Sequence, residues 1–581
     1  GGGRSGGARA FEAAPPPEMA RLPAPPTSDE LLTEAVEEQR PRQKRLALLW
    51  PSIFDGRGPV LLFPYTAACG ARQRNIERAI EVEAEGPRLC YCHSERVHQY
   101  NAVKNVMRLG GFHPVRPDSA QWTLLWSKQT VSDTVHCMQS SQRTNHLVGS
   151  RHLGRKDLLW RHILNMQRVY GDEFDITPPG YILPRAMDSW REERRRRPEK
   201  FWIWKPCGQS CGRGIRVLPS GVSEKDEEEL RQKKGIAQEY VSNPLLIDGY
   251  KFDLRVYVVV TSMDPLKVYV NDEGLVRFAT ERYSESAETL DTRTMHLTNY
   301  SVNKASPAFV QNQDGGREVD SDEGSLPDED GGIQASKWSF AELRAYFDRA
   351  GLDYELTMGR IKSLVVKALI SVEPVMRSDW ARFCKDEGAG WAARGRLGAH
   401  RFSCFEVYGF DVLIDAGMKP WLLEVNVCPS LSSGSRLDKR IKTKLVADVF
   451  TLLGFAPPPG WAALRHREPP AILELPADEL EARAEAMEEC GTLEEAMATF
   501  DDAAWELVVE DVEEEARSGG LERVFPTAHA AEFSRFFEAE SYCNMVLRIF
   551  HELGGPALFS RTGNSELLPP WLPRRTSSSR T

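Results

Sequence analysis

Short apolar runs alternate with turn signals along most of this 581-residue chain. None reaches the ~18–20 apolar residues of a membrane span. RLALLW at 45–50 and WTLLW at 122–126 read as strands, with a helical stretch at 97–109 between them, which predicts a small α/β unit. Over 151–170, Leu158, Leu159, Ile163, Met166 and Val169 fall on one side of a helix. From Phe201 to Tyr300 the pattern is mostly strand: FWIWKP, GIRVL, GIAQEYV, KFDLRVYVVVTS, LKVYV and GLVRFAT, with Asp264-Pro265 and Glu273-Gly274 as turns. Helical patterns follow at 337–349 and 355–377. A hairpin, FEVYGFDVLID–AGMK–PWLLEVNVCPS, and a helix at 436–453 complete the regular part.

Composition sets the boundaries. Residues 1–44, rich in Gly, Pro, Ala, Arg and Glu, predict a disordered leader, and the Ser/Arg/Pro-rich 561–581 a disordered tail. The polar, acidic 305–335 predicts a mobile insertion, and WREERRRRPEK at 190–200 a solvated basic loop or helix end. Between them lie an N-terminal α/β subdomain at 45–128, a larger α/β region at 129–454 and an acidic, helical extension at 455–560.

The net charge of −10 hides a basic body. Of 84 acidic side chains, 17 fall in 471–520 and 8 in 311–330, where only 3 of the 74 basic ones lie; 59 acids and 71 bases remain. Such a body suits an anionic partner, polyphosphate or acidic polypeptide. Eleven scattered cysteines without a CxxC pair support neither a zinc site nor a disulfide framework and fit a reducing compartment.

Three segments carry chemistry. If the hairpin turns about Gly417 and Met418, Asp411 faces Glu424 across the strands, and Asn426 projects from the same face. Facing carboxylates among Phe410, Leu422 and Val425 are destabilising unless a cation lies between them, and hard oxygen ligands suit Mg²⁺. KPCGQSCGRG at 205–214 follows a strand; its glycines, Gly212 among them, let backbone N–H groups approach phosphate, with Lys205 and Arg213 supplying charge. It is neither a Walker A loop nor GxGxxG. KFDLR puts Lys251, Asp253 and Arg255 on one strand face, opposite Phe252, Leu254 and Val256.

The strings LIDGYKFDLRVYVVVTSMDPLKVYV, GLVRFATERY, MHLTNYSVNK and GFDVLIDAGMKPWLLEVNVCPSL resemble the tubulin tyrosine ligase-like family over about 45–454. With GGLERVFPTA at 519–528 they are most similar to its polyglutamylase branch. The resemblance implies an ATP-grasp fold binding ATP and Mg²⁺. It implies an ATP-dependent ligase, a tubulin-glutamic acid ligase, that activates a glutamate side chain of a tubulin C-terminal tail as an acyl phosphate and joins free L-glutamate to it. Such a protein would work as a monomer on microtubules in the cytoplasm, cilium or basal body included, without nucleic acid or membrane.

By the same resemblance, Asp411, Glu424 and Asn426 are the magnesium ligands and Lys205 the phosphate lysine. Gln238, Glu239, Tyr240 and Val241 form the adenine hinge. Lys251, Asp253, Thr298 and Asn299 make further nucleotide contacts, and Lys156 resembles a second lysine at the cleft. Arg277, Tyr300, Ser301, Lys337 and Lys442 match positions for the incoming amino acid, with Arg255 on the substrate side. Arg277, Lys205 and Glu424 are the expected catalytic residues. His296 is expected to be packed and hydrogen-bonded. One departure is Cys211, where the family usually has Arg or Gln to hold the acceptor; this leaves initiation against elongation open. Another is the acidic 471–520, which should repel an anionic tail or occupy the basic groove, or else point away as a solvated face. Glycylation on the same fold, or tail binding without chemistry, are the alternatives.

Overall fold

A computed structural model describes residues 46–561, apart from 129–137, 311–335, 386–403, 459–476 and a few shorter gaps, among them 210–211. The leader, most of the 305–335 insertion, Cys211 and all but the start of the tail lie outside the described residues.

Strand β1 (Leu46–Trp50) pairs antiparallel with β2 (Val60–Leu61) and β3 (Ile80–Glu83). A parallel sheet follows in the order β5-β4-β6-β7, made of β4 (Leu89–His93), β5 (Phe112–Pro114), β6 (Leu124–Trp126) and β7 (Arg143–Thr144). Its crossover helix, Asn101–Leu109, buries Ala102, Val103, Val106 and Met107 as one stripe. A third, antiparallel sheet has the order β10-β9-β11-β8, from β8 (Gly180–Leu183), β9 (Trp202–Pro206), β10 (Arg216–Leu218) and β11 (Gly235–Glu239).

The largest sheet has eight strands: β12 (Leu246–Ile247), β13 (Tyr250–Met263), β14 (Leu266–Asn271), β15 (Leu275–Arg282), β16 (Lys337–Ser339), β17 (Glu406–Ile414), β18 (Pro420–Val427) and β19 (Leu521–Phe525). The first half of β13 pairs with β15, its second half with β14, and β17 pairs along the other edge. Period-two alternation divides β13 by function. Phe252, Leu254, Val256, Val258 and Val260 pack with Ile361, Leu364 and Val365 of helix Tyr354–Ile370. Burying each such side chain stabilises by about 1.5–3 kcal/mol. On the opposite face Tyr257 and Val259 join a second core with helix Arg436–Leu452, while Lys251, Asp253 and Arg255 stay outside both cores.

Several elements differ from expectation for local reasons. The helix expected from 337 begins at Phe340, because Ser339 and Glu342 form a capping box there and release Lys337–Ser339 as β16. The pattern at 355–377 splits into Tyr354–Ile370 and Glu373–Lys385, since Pro374 cannot continue a helix. The 151–170 helix breaks at Arg155, whose backbone is extended (ψ 118°), and resumes at Lys156. Next to that break a Cβ on Gly154 would meet Val427 Cγ2 at 2.6 Å, so glycine permits close packing on β18. The basic run is helix Met187–Arg196 and is not simply solvated: Arg191 and Arg194 both pair with Glu227 at 2.6 Å.

The acidic extension is corrected most. It is not wholly helical, since β19 pairs with β14 and enters the large sheet. Glu485, Glu488, Glu489, Glu494 and Glu495 are exposed. In helix Asp502–Ala516, however, Glu506, Asp511 and Glu514 are buried and paired with Arg57, Arg523 and Lys267. The exposed glutamates fit the expected solvated face, whereas the three buried acids are tied into the body and are not available to a groove. Charge counting could not reveal this, because their partners lie in distant segments.

Candidate active site

The β17–β18 hairpin sets Asp411 directly across from Glu424, and Gly409 across from Asn426. The pairing is the expected one, reached by another route. At the tip Ile414 faces Pro420, so the turn centres on Gly417, with Met418 left-handed at φ 61°. Leu423 then bulges between Leu422 and Glu424 and restores the partners. The bulge releases the Leu423 carbonyl from the ladder, and it accepts from Lys205 Nζ at 3.2 Å.

A cavity with about 630 Å³ of empty space, partly open to solvent, gathers most of the expected nucleotide residues. Lys205 enters from β9, Gln238 and Glu239 from β11, Tyr240 and Val241 from the chain after it, and Lys251 and Asp253 from β13. Thr298 and Asn299 close one side, and Asp411 and Glu424 line another. Gly212, Arg213 and Asn426 are not among its walls. Gly212 instead packs on Asn299, where a Cβ would meet Oδ1 at 3.0 Å, and Arg213 is exposed.

The two lysines in the cavity are buried, and burial pushes Lys205 down to about 8 and Lys251 down to about 7. Lys251 donates to Tyr240 Oη at 2.8 Å. Tyr240 Oη lies 2.8 Å from His296 Nδ1, and His296 Nε2 lies 2.9 Å from the Thr289 carbonyl. A carbonyl only accepts, so Nε2 carries the proton, Nδ1 accepts from Tyr240, and His296 has the packed, hydrogen-bonded role expected of it. The Glu239 carboxylate is held by Arg197 (2.9 Å) and Lys200 (2.7 Å). Gln238 donates to the Pro178 carbonyl at 2.9 Å, while its buried Oε1 has no partner among the described residues.

Partly neutral lysines make a testable signature. At pH 8 Lys251 is mostly neutral and Lys205 about half so; a polyphosphate beside them restores their charge. ATP binding is therefore expected to take up between about one and two protons at pH 8. Calorimetric titration in buffers of differing ionisation enthalpy measures it, and equal enthalpies in all buffers would reject this account.

Arginines occupy the floor. Arg255 Nε donates to Asp411 Oδ1 at 2.6 Å, and Arg277 reaches Asp411 Oδ2 at 2.9 Å and Asp253 Oδ1 at 2.7 Å. Burial would raise the Asp411 pKa; the two guanidinium groups overcome it and hold the carboxyl well below the usual range. Gly409 makes room for this, since a Cβ there would lie 2.9 Å from Arg255 Cδ. Lys156 pairs with Glu424 at 2.8 Å. In register beside Arg277 on the sheet stands Lys337, which pairs with Asp438 at 2.8 Å and sits 4.4 Å from the Tyr300 ring centre. Lys442 pairs with the same Asp438 at 2.7 Å. Arg255, Arg277, Tyr300, Lys337 and Lys442 thus form a second group, joined to the cavity through Asp253 and Asp411; Ser301 follows Tyr300 in the short helix Tyr300–Asn303.

Sequence reasoning missed Ile203, Leu413 and Leu423 in the cavity wall. Period two from Lys205 and from Asp411 could have found the first two; nothing local signals the bulged third. It also missed Asp438, although Ser435-x-x-Asp438 is a helix-start signature. Among the described residues two clusters of ligand-type side chains, His146–Glu406–Cys428 and Asp511–Glu515–His551, each join segments that no short spacing rule connects. Their groups are already bonded to one another or to protein cations, as in His146 to Glu406 at 2.8 Å and Arg523 to Asp511.

Comparison with known proteins gives a consistent set. The tubulin-tyrosine ligase family pattern matches residues 135–461. Tubulin polyglutamylase TTLL5 of Pongo abelii is 34% identical over 497 residues, covering 80% of this chain and 35% of that protein. Tubulin polyglutamylase ttll-4 of Caenorhabditis elegans is 32% identical over 476 residues, 79% of this chain and 71% of the relative. Tubulin monoglutamylase TTLL4 of Mus musculus is 32% identical over 470 residues, 77% of this chain and 36% of its own length. The chain thus spans about a third of the first of these relatives and most of the second.

Proposed function

Because this chain belongs to the tubulin-tyrosine ligase family, we propose that it is an ATP-dependent glutamate ligase for tubulin C-terminal tails. The observation that carries this reading is the pair Asp411 and Glu424, facing each other beside a cavity that also holds Lys205 and Lys251. In this reading 129–454 is the ATP-grasp region, 45–128 a small subdomain behind it, and microtubules, in cilium or basal body as elsewhere, are the place of action.

The residues fit both absent groups. The buried Gln238 Oε1, without a partner among the described residues, suits an amino donor such as that of adenine, and the two lysines suit phosphates. Asp411 and Glu424, with the Asn426 amide, would hold Mg²⁺, since Asp411 is kept ionised by its arginines. Bound there, Mg²⁺ would offset phosphate charge during transfer to the acceptor carboxylate.

A carboxylate does not acylate an amine, so the acceptor carboxyl must first become an acyl phosphate. Lys205 steadies the phosphates. Arg277, between Asp253 and Asp411, stands where the nucleotide cavity meets the second group and offers a cation to the transferring charge. The amine of free glutamate then attacks the activated carboxyl, and phosphate leaves. No residue need form a covalent intermediate.

Charge balance favours glutamate over glycine. Among the described residues the second group sets four cations, Arg255, Arg277, Lys337 and Lys442, in ion pairs with three carboxylates, Asp253, Asp411 and Asp438. Glutamate carries a net −1 at neutral pH as a free amino acid, and glycine none. Tubulin incubated with the protein, ATP and either amino acid should gain whole glutamate residues by mass spectrometry. The number added per tail separates initiation from elongation, and addition of glycine, or of neither, would overturn the proposal.

A further inference from the structure

Asp438 lies near the start of helix Arg436–Leu452, below the Ser435 cap, and is buried. Its Oδ1 meets Lys442 at 2.7 Å and its Oδ2 meets Lys337 at 2.8 Å. Ser435 Oγ also donates to Oδ2 at 3.0 Å. One carboxylate thus spans two ammonium groups from different elements, a helix and β16. We propose that Asp438 is a positioning residue for the incoming amino acid: it fixes Lys337 and Lys442 at one spacing so that both address a substrate carboxylate. This rests on the ligase reading above.

The surroundings of Asp438 support more than a helix cap. A cap needs only the Ser435 hydroxyl, which already accepts from the Asp438 backbone N–H at 3.1 Å. The side chain instead serves the lysines, which would repel each other without an anion between them. Lys442 is further tethered to the Ser432 carbonyl at 2.7 Å, and Lys337 lies over the Tyr300 ring. Lys337 is also the cross-strand neighbour of Arg277, so what holds its ammonium sets its place relative to the expected transfer point. Burial lowers the Lys442 pKa, and Asp438 is the main group opposing that, keeping Lys442 charged for a carboxylate ligand.

The test is steady-state kinetics of full-length Asp438→Asn and Asp438→Glu, with tubulin and ATP saturating or varied. Asp438→Asn should raise the KM for glutamate about tenfold or more, with the KM for ATP and kcat within about threefold of the parent. Asp438→Glu, which keeps the charge on a longer arm, should recover part of that loss. A merely structural role would lower the melting temperature and active fraction without separating the two KM values. Should the Asn variant not fold, the Glu variant carries the test through the same separation. An unchanged or lowered glutamate KM, or equal rises in both KM values, would overturn the inference. Failure of the parent protein to incorporate glutamate would instead refute the ligase reading, so the two failures are distinguishable.

Discussion

Glu424→Gln should abolish glutamate incorporation and leave the fold intact. The amide keeps the shape but cannot carry charge, so the facing pair is left with Asp411 as its only carboxylate. Loss of several kcal/mol of charge stabilisation corresponds to ~10³-fold in rate. The cost in stability should be small. Glu424 pairs with Lys156 at 2.8 Å, and the glutamine amide would still offer that ammonium an oxygen acceptor, so the contact is weakened and not lost. Asp411→Asn would be a poorer probe, because Arg255 and Arg277 converge on that buried carboxylate and would lose it together. Radiolabelled glutamate transfer to tubulin, measured beside melting temperature without nucleotide, decides the matter. Activity within tenfold of the parent at physiological Mg²⁺ would remove Glu424 from the catalytic set.

How legible this site was depends on the range of the interactions that build it. Alternation along β13 and a tight hairpin are local, so Lys251, Asp253 and Arg255, and the facing of Asp411 and Glu424, could be read from the chain. The hairpin pairing came out as expected through two offsetting departures, a turn centred on Gly417 and a bulge at Leu423. Apolar periodicity alone starts a helix at 337 and so puts Lys337 in it, whereas the Ser339–Glu342 capping box sets the start at Phe340. Knowing that Lys337 sits on β16 is what puts it beside Arg277. Roles for Gln238, Tyr240, Thr298, Asn299, Tyr300 and Lys442 came only from family resemblance. No spacing rule joins them, and their convergence is tertiary.

The acidic segment shows the same limit and yields the largest expected effect on stability. Lys267 of β14 is fully buried and meets Glu514 at 2.7 Å; Thr261 and Tyr269 also donate to Glu514, at 2.6 and 2.8 Å. Arg523 of β19 pairs with Asp511 and donates to Tyr269 Oη at 2.6 Å, while His551 lies 2.7 Å from Asp511. Burial would raise both carboxyl pKa values, but Arg523 and His551 overcome it at Asp511, and Lys267 and Arg523 at Glu514. Their folded-state pKa values lie below the unfolded ones, so their contribution is present above the unfolded carboxyl pKa and lost as pH falls through the folded values. Lys267→Met removes the cation and leaves Glu514 buried, which should cost about 3–5 kcal/mol in urea unfolding at pH 7.5. The deficit should shrink toward pH 5, where the stranded Glu514 takes up a proton more cheaply. Adding Glu514→Gln should restore much of the loss, since the uncompensated charge is gone. Deleting 471–520, expected from charge alone to strengthen binding to an anionic tail, would strand Lys267 and Arg523 together and should leave no folded protein to bind. A Lys267→Met loss below about 1 kcal/mol, or no recovery in the double variant, would show that the ion pairs do not hold this segment to the sheet.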